Sequence, residues 1–344
     1  MPRPPGRAPR RRRHGWAAWW AVGVATALGC GGGEAAGPLD GAAAIDAATT
    51  DGTPGVDATP DAAVDAAPAT CTGRAAQPLD AVWTLTVDGR PRTARVHVPA
   101  AYDPTRPTPL VLDFHGYSMT ATSQEALTRL PAKADAAGFV VVHANGTGAV
   151  QGWNAGACCG TAASTGVDDV GFVDALLAEL EARLCVDPDR VYATGFSNGG
   201  FLAHRLACER AEVFAAIAPV SGVLGIPACA PSRPVPVLHV HGTADTVVPY
   251  AGSAALGFAS VATTIDGWVA RNGCTTGPTE VFAQGDTTCV SYGGCAGGAD
   301  VELCTITGGG HTWPGGGPFP GGHQSTDLAA TDALWDFFVA HPRR

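Results

Sequence analysis

The chain has 344 residues, of which 46% are hydrophobic, and it carries 31 acidic against 21 basic side chains. Six of the basic residues lie within the first 13 positions, so the rest of the chain holds 15 basic and 31 acidic residues and a formal charge of −16. This charge argues against nucleic acid or an anionic lipid surface as a partner, because both repel acidic proteins.

Residues 1–29 predict an export signal of the lipoprotein type. A cationic head with Arg3, Arg7 and residues 10–13 precedes an apolar stretch over 16–28, which is the layout of a signal peptide. The apolar stretch is shorter than the roughly 20 residues that a spanning helix needs, so we expect no transmembrane anchor.

Residues 27–30, Ala-Leu-Gly-Cys, resemble the bacterial lipobox, with Ala27 where Leu is usual. We favour lipidation of Cys30, which anchors a protein without spanning the membrane. Gly31, rather than Asp, resembles outer-membrane lipoproteins. The alternative is ordinary secretory cleavage nearby with Cys30 incidental, and in both cases the protein is exported.

Beyond the signal, the composition divides the chain into a tether and a folded domain. Residues 30–70 are almost all Ala, Gly, Asp, Thr and Pro, with no Lys, Arg or aromatic residue, so we interpret them as a disordered tether. Residues 71–344 are long enough for one large domain with a substantial core. We expect this domain to be a monomer.

Ten cysteines remain beyond Cys30, and an even set in an exported chain indicates disulfides. We expect Cys289 to pair with Cys304, because both lie in apparent strands, and Cys274 to pair with Cys295 beside them. A metal site is the competing interpretation, but the chain has no CxxC pair with partnering histidines, so no metal is expected. The ten are Cys71, Cys158, Cys159, Cys185, Cys208, Cys229, Cys274, Cys289, Cys295 and Cys304.

Short runs of Val, Ile and Leu alternate with helical patterns, which is typical of an α/β fold with a largely parallel sheet covered on both faces. An antiparallel pair is predicted at 83–87 and 92–98, followed by strands at 110–114, 139–143, 191–194, 215–220, 235–241 and 301–307. Helices are predicted at 168–184, 262–271 and 328–339. In the first of these, apolar residues recur at helical spacing after a capping aspartate.

Residues 195–200, Gly-Phe-Ser-Asn-Gly-Gly, follow the predicted strand 191–194 and open a helical pattern. Strand, sharp turn and helix are the context of a nucleophile elbow, with Ser197 as the nucleophile. The flanking glycines leave room for the neighbouring strand and helix, and the helix N-terminus favours a developing oxyanion. The alternative is a glycine-rich turn with a capping serine.

A serine nucleophile needs a base within hydrogen-bond reach and an acid that orients the base. In this fold the chain order is Ser, acid, His. Asp245 follows the strand 235–241 at its carboxyl end and is the candidate acid; a loop aspartate that caps its own turn is the alternative. His311 lies in a glycine-rich loop after the strand 301–307 and is the candidate base. Less well placed are Asp266, Asp286, Asp300, His97, His143, His204, His239, His323 and His341.

Two backbone N–H groups stabilise the oxyanion of a tetrahedral intermediate, one after the nucleophile and one from the loop after an early strand. Asn198 supplies the first. Tyr117, in the turn after the strand 110–114, supplies the second. His115 precedes that turn, and we expect it to support the loop rather than to act as a base.

These motifs together resemble the poly(3-hydroxybutyrate) depolymerase and feruloyl esterase group of carbohydrate esterase family 1, which has the α/β-hydrolase fold. The resemblance covers most of the chain from residue 84 onward and implies the same triad, Ser197, Asp245 and His311, without a cofactor. The matching stretches are 114–117, 152–154 with Cys158 and Cys159, 168–172, 191–200, 215–222, 241–250, 272–274 and 308–315.

The resemblance also implies that Trp153 and Trp313 flank the acyl pocket; the alternative is that both are core aromatics. Tyr117 departs from the family pattern, since many relatives carry Cys at that position. The expected oxyanion role survives this difference, because a backbone donor does not depend on the side chain.

The expected activity is hydrolysis of a carboxylic ester through an acyl-serine intermediate. Hydroxycinnamoyl or acetyl esters on plant polysaccharide are the favoured substrates, because crystalline polyester usually calls for an adsorption domain and none follows the catalytic unit. Polyhydroxybutyrate or its oligomers are the alternative substrates. A serine peptidase and a surface-binding lipoprotein with a retired site are further alternatives. The peptidase is disfavoured because we see no propeller or lid domain in the sequence. The presence of all three triad residues argues against a retired site.

Overall fold

The computed structural model describes residues 71–72 and 74–343. The predicted signal peptide, Cys30 and the tether lie outside the described residues, so the domain bounds 1–29, 30–70 and 71–344 stay predictions. In the part of the chain that the structure describes, no helix is both long and apolar enough to cross a bilayer.

The described residues form ten strands in one sheet. The strands are β1 (Asp80–Val87), β2 (Arg90–His97), β3 (Thr108–Phe114), β4 (Val140–Ala144), β5 (Val186–Phe196), β6 (Ala216–Val220), β7 (Val237–Gly242), β8 (Thr276–Gln284), β9 (Thr287–Gly293) and β10 (Val301–Ile306). Their spatial order is β1-β2-β4-β3-β5-β6-β7-β10-β9-β8.

Seven α-helices accompany these strands within the described residues. They are α1 (Ala121–Thr128), α2 (Leu130–Ala137), α3 (Gly160–Ser164), α4 (Asp169–Arg183), α5 (Asn198–Glu209), α6 (Val261–Arg271) and α7 (Ala330–Ala340). The cap predicted for α4 is present, because the Asp168 side chain accepts a hydrogen bond from the Gly171 N–H.

The six strands from β4 to β10 in the spatial order run parallel, and antiparallel pairs extend the sheet on both sides. β3, β4, β6 and β7 are buried along their whole length, as parallel strands covered on both faces must be. Successive residues of β3 enter opposite layers, with Val111 in one apolar core and Leu112 in the other. The predicted α/β class with a mostly parallel sheet is therefore confirmed.

Every predicted strand and helix forms, although some bounds differ. β5 begins at Val186 rather than near 191, because residues 187–190 are polar or proline and at least partly exposed, so no apolar run marks them. The sequence pattern did not predict α1, α2 or α3. Each has eight residues or fewer, too short to repeat an apolar spacing, and a capping box between Thr120 and Ser123 starts α1.

The ten cysteines of the described domain form five disulfides. The two predicted pairs, Cys289–Cys304 and Cys274–Cys295, are both present. Three further pairs did not follow from spacing: Cys71–Cys185, Cys158–Cys159 and Cys208–Cys229. This complete pairing is consistent with the predicted export, since disulfides persist in oxidising compartments.

Candidate active site

Ser197 occupies the sharp turn between β5 and α5. Its φ of 55° and ψ of −119° lie in a region that non-glycine residues rarely adopt. Its N–H donates to the Val220 carbonyl at 2.9 Å. Glycine is required at the flanking position Gly199, where a Cβ would collide with the Phe114 carbonyl. The backbone therefore has the geometry that the motif predicted, with the hydroxyl at the carboxyl edge of the sheet.

Asp245 and His311 meet in the loops after β7 and β10. The Nδ1–H of His311 donates to Asp245 Oδ2 at 2.7 Å. The other carboxylate oxygen, Oδ1, accepts the N–H groups of Val247 and Val248, each at 2.8 Å. These bonds fix the carboxylate on both sides and hold the imidazole with Nε2 free to face a nucleophile.

The environment favours the ionised form of Asp245. Burial by itself raises the pKa of this carboxyl, but the interactions with His241 and His311 outweigh burial, so the pKa lies well below its usual range. The carboxylate is therefore negative at neutral pH, as an acid that stabilises a developing imidazolium must be.

His311 lies beside the residue that precedes the nucleophile. Its ring is 4.7 Å from the Phe196 ring, centroid to centroid, and Phe319 packs against Phe196 at 5.1 Å. Ser197, Asp245 and His311 are 7%, 4% and 4% exposed. The structure thus brings the three predicted residues to one edge of the sheet, in a site with little access to water.

The two residues predicted as oxyanion donors flank the serine. A Cβ at Gly116 would lie 3.3 Å from the Ser197 Cβ, which places the turn after β3 directly against the nucleophile. The N–H of Tyr117, next in that turn, has no acceptor among the described residues. Asn198 is the first residue of α5, so its N–H has no acceptor within the helix.

His115 supports this turn, as the sequence indicated. Its Nε2 accepts the Gly146 N–H at 2.9 Å, so Nδ1 carries the proton and donates to the Gly116 carbonyl at 2.8 Å. Burial lowers the pKa of His115 to about 4. This imidazole is therefore neutral near pH 7, and both of its nitrogens are occupied by the backbone.

Trp153 and Trp313 are both fully buried. The Trp153 indole N–H donates to the His115 carbonyl and the Trp313 N–H to Thr331 Oγ1, each at 3.0 Å. This burial favours the alternative that both are core aromatics. Contact of either residue with an acyl group stays a prediction.

The side chain of Asn198 has a role that the sequence did not predict. Its Oδ1 accepts a hydrogen bond from the backbone N–H of Trp153 at 2.7 Å, and its Nδ2 donates to the backbone carbonyl of Trp153 at 3.1 Å. The residue after the nucleophile thereby fixes the loop that begins at Gly152. The signal for this role in the sequence was an Asn, with its amide side chain, directly after the nucleophile.

A buried ion pair, which the sequence also did not predict, holds the same loop from its other side. Arg92 Nη2 donates to Asp169 Oδ1 at 2.8 Å, and Asp169 Oδ2 accepts the Asn154 N–H at 2.7 Å. The guanidinium also lies 3.8 Å from the centre of the Phe172 ring. Since Arg92 is far from residues 152–154 in the chain, no local pattern links them.

His323, His143 and His97 have acidic partners other than Asp245. His323 pairs with Asp286 at 2.6 Å on the surface, and His143 lies 3.0 Å from the buried Asp113. His97 contacts two aspartates at the β1 side of the sheet. Within the described residues, no group of three or more His, Cys, Asp or Glu side chains is arranged to hold a metal ion.

The comparisons with known proteins agree on one family. The family model "Esterase PHB depolymerase" matches residues 96–230. Feruloyl esterase B of Piromyces equi is 33% identical over 234 residues, which are 64% of this chain and 42% of that protein. Feruloyl esterase C of Emericella nidulans is 30% identical over 258 residues, which are 71% of this chain and 82% of that protein.

A solved structure, the acetyl xylan esterase from Aspergillus awamori, superposes with a TM-score of 0.56 at 15% identity, over 75% of this chain and 99% of that chain. This likeness confirms the α/β-hydrolase fold. The chain belongs to the PHB depolymerase and feruloyl esterase group of carboxylic ester hydrolases.

Proposed function

We propose that this protein hydrolyses carboxylic esters with Ser197 as nucleophile, His311 as general base and Asp245 as the acid that orients the imidazole. The observation that carries the proposal is the 2.7 Å hydrogen bond between His311 and Asp245, beside a serine whose φ is 55°. A serine in a strained turn and a histidine bonded to a buried carboxylate, together at one edge of the sheet, are the combination that a nucleophile and its base require.

In the proposed reaction, Ser197 Oγ attacks the ester carbonyl while His311 Nε2 takes the hydroxyl proton. The imidazolium then protonates the leaving alkoxide, and the acyl group stays on the serine. Water attacks the acyl-serine with His311 again as base, which releases the carboxylic acid and restores the hydroxyl. Asp245 stays ionised throughout and stabilises the imidazolium.

The oxyanion hole in this proposal consists of the N–H groups of Asn198 and Tyr117. Two features support the assignment: the N–H of Asn198 begins α5, and the turn of Gly116 and Tyr117 lies against Ser197. Because donors are fixed before the charge develops, they stabilise the intermediate without reorganisation. The hole lies on backbone groups, so the unusual Tyr117 side chain leaves it intact.

The proposed substrates are hydroxycinnamoyl or acetyl esters of plant polysaccharide. The names of the relatives from Piromyces equi and Emericella nidulans support this choice, since both are feruloyl esterases. Polyhydroxybutyrate oligomers are a second candidate, favoured by the family model that matches residues 96–230. Initial rates on methyl ferulate, acetylated xylan and hydroxybutyrate oligomers separate the two, and turnover of the oligomers alone would overturn the first choice.

Ser197→Ala tests the nucleophile. We expect turnover of a chromogenic acetyl or feruloyl ester to fall by roughly 10⁵-fold or more, with an unchanged circular dichroism spectrum. Ser232→Ala is the matched control and should keep wild-type turnover, because Ser232 is exposed and its hydroxyl contacts only the Glu212 side chain among the described residues. Labelling by a fluorophosphonate that survives in Ser197→Ala would refute the assignment, and no labelling of the wild-type protein would favour a retired site.

We also propose that the mature protein is exported as a monomer, with lipid on Cys30 and residues 30–70 as a tether. The lipobox-like sequence and the complete disulfide pairing of the domain support export. Mass spectrometry of the mature N-terminus distinguishes a diacylglyceryl cysteine at position 30 from an unmodified secreted end.

A further inference from the structure

Three buried histidines that the proposed reaction does not use lie in a row beneath the acid. His204 lies on α5, and His239 and His241 lie on the same face of β7; all three are fully buried. His204 Nε2 is 3.3 Å from His239 Nδ1, and His239 Nε2 is 3.1 Å from His241 Nδ1. Each imidazole thus contacts the next through opposite nitrogens.

The first end of the row fixes where the protons are. The indole N–H of Trp268, which only donates, points at His204 Nδ1 at 3.0 Å. His204 Nδ1 is therefore the acceptor, and its proton is on Nε2. His204 Nε2 faces His239 Nδ1, so the His204 N–H donates to His239.

The other end fixes the same direction independently. His241 Nε2 lies 2.8 Å from the Val248 carbonyl, which only accepts, so His241 also carries its proton on Nε2. The Asp245 Oδ2 is 3.5 Å from the same nitrogen. A donor at one end and an acceptor at the other leave one arrangement, in which every Nδ1 accepts and every Nε2 donates toward the acid.

His204 and His239 are uncharged near pH 7. Burial, with a smaller contribution from Arg271, lowers the pKa of His204 to about 3, and burial lowers the pKa of His239 well below its usual value. The charges that face the row are the Arg271 guanidinium, 5.6 Å from the centre of the Trp268 ring, and the Asp245 carboxylate at the opposite end. A proton added to the middle of the row would have no counter-charge in contact.

We propose that His241 is a positioning residue for Asp245, held in its Nε2–H tautomer by the row Trp268, His204 and His239. Its N–H binds the Val248 carbonyl, while the Val248 N–H binds Asp245 Oδ1. The turn over residues 245–248 is thereby tied to β7 on one side and to the carboxylate on the other. This inference rests on the proposed function, in which Asp245 orients His311.

The tautomer matters because the opposite form would present a lone pair to two acceptors. The Val248 carbonyl and the Asp245 carboxylate would then both face an unprotonated nitrogen in a buried site, and the turn would open. With the turn displaced, His311 would lose the orientation that its 2.7 Å bond to Asp245 provides.

Two substitutions of His241 test the donor. His241→Gln keeps an N–H at a similar reach, and we expect most of the wild-type kcat to remain. His241→Leu removes the N–H, and we expect kcat to fall by about tenfold or more, up to the roughly 10⁴-fold loss caused by a misoriented base, with KM almost unchanged. His97→Gln, at the far side of the sheet, is the control and should behave as wild type. Equal loss in both His241 variants, or loss in neither, overturns the proposal.

Imidazole ¹⁵N NMR of the wild-type protein provides a test that needs neither turnover nor a variant that folds. All three histidines should show an acceptor-type Nδ1 and a protonated Nε2, and His204 and His239 should keep them from pH 5 to pH 9. A proton on any Nδ1, or titration of His204 or His239 in that range, would overturn the row. If the protein showed these NMR signals but did not hydrolyse esters, the result would count against the proposed function and not against the row.

Discussion

The imidazole of His311 donates to the carboxylate of Asp245 at 2.7 Å although 66 residues separate them. The two are neighbours because β7 and β10 lie side by side and parallel, with Gly242 opposite Ile306, so that both loops start at the same level of the sheet. A side chain at Gly242 would collide with the backbone of Gly309. The glycines therefore let the two loops touch, which brings acid and base together.

Asp245→Asn should reduce kcat by about 10³- to 10⁴-fold, because an amide favours the wrong tautomer of His311 and cannot stabilise the imidazolium. KM should change little. Asp286→Asn is the matched control, since Asp286 also binds a histidine, at 2.6 Å, but on the surface. Steady-state kinetics on a soluble ester measures both, and similar losses in the two variants would argue against the assigned acid.

Asn198→Ala should destabilise the protein while leaving the backbone N–H of residue 198 in place. The buried Trp153 N–H loses its acceptor, so the free energy of unfolding should fall by about 1–3 kcal/mol. We also expect a lower kcat, because the loop that begins at Gly152 loses its attachment to α5. Urea denaturation checks the first effect, and an unchanged midpoint would show that the amide does not fix the loop.

Arg92→Leu should cost about 3–5 kcal/mol of unfolding free energy, because Asp169 is fully buried and would lose the ion-pair partner that it has among the described residues. Adding Asp169→Asn should recover part of this loss, since it removes the unpaired charge and keeps an acceptor for the Asn154 N–H. Arg210→Leu, which breaks a surface pair with Asp174, should cost less than about 1 kcal/mol. Equal losses in Arg92→Leu and Arg210→Leu would contradict this ranking.

Stability should fall as the pH drops below about 6.5, the ordinary value for histidine. The native state holds His115, His204 and His239 neutral, with the pKa lowered to about 4 in His115 and to about 3 in His204. The unfolded chain binds these protons from pH 6.5 downward, so each imidazole lowers the unfolding free energy by at most about 1.4 kcal/mol per pH unit. Above that pH the effect vanishes.

Urea denaturation at pH 7.5 and pH 5.5 measures this dependence, and the uptake of protons on unfolding at pH 5.5 counts the histidines directly. We expect a lower unfolding free energy and uptake of more than one proton at pH 5.5. A stability that stays flat between the two values would mean that these imidazoles are already protonated in the native state.

Local patterns in the sequence predicted most of what concerns the nucleophile. One short segment contains the strand, the flanking glycines and Ser197. Its residue types therefore predict the backbone geometry around the nucleophile. The same holds for the alternation of strands and helices and for the position of Asp245 directly after β7. The helices α1 to α3 were not predicted, because they are too short for apolar residues to recur at helical spacing.

The contacts that tune the site depend on residues far apart in the chain. The row from Trp268 to His241 joins α6, α5 and β7, and the pair Arg92–Asp169 joins β2 to α4. Burial of Trp153 favours a place in the core, a choice that the sequence alone left open.

The sequence by itself determined the class of fold, the elbow and the identity of the three candidate catalytic groups, because each depends on the order and spacing of neighbouring residues. Only the tertiary structure decided which donors and acceptors surround His115, His204 and His241, and which loops are fixed around the carboxylate. Hydrogen-bond direction is set by partners that meet through packing, and no distance along the chain encodes which partners those are.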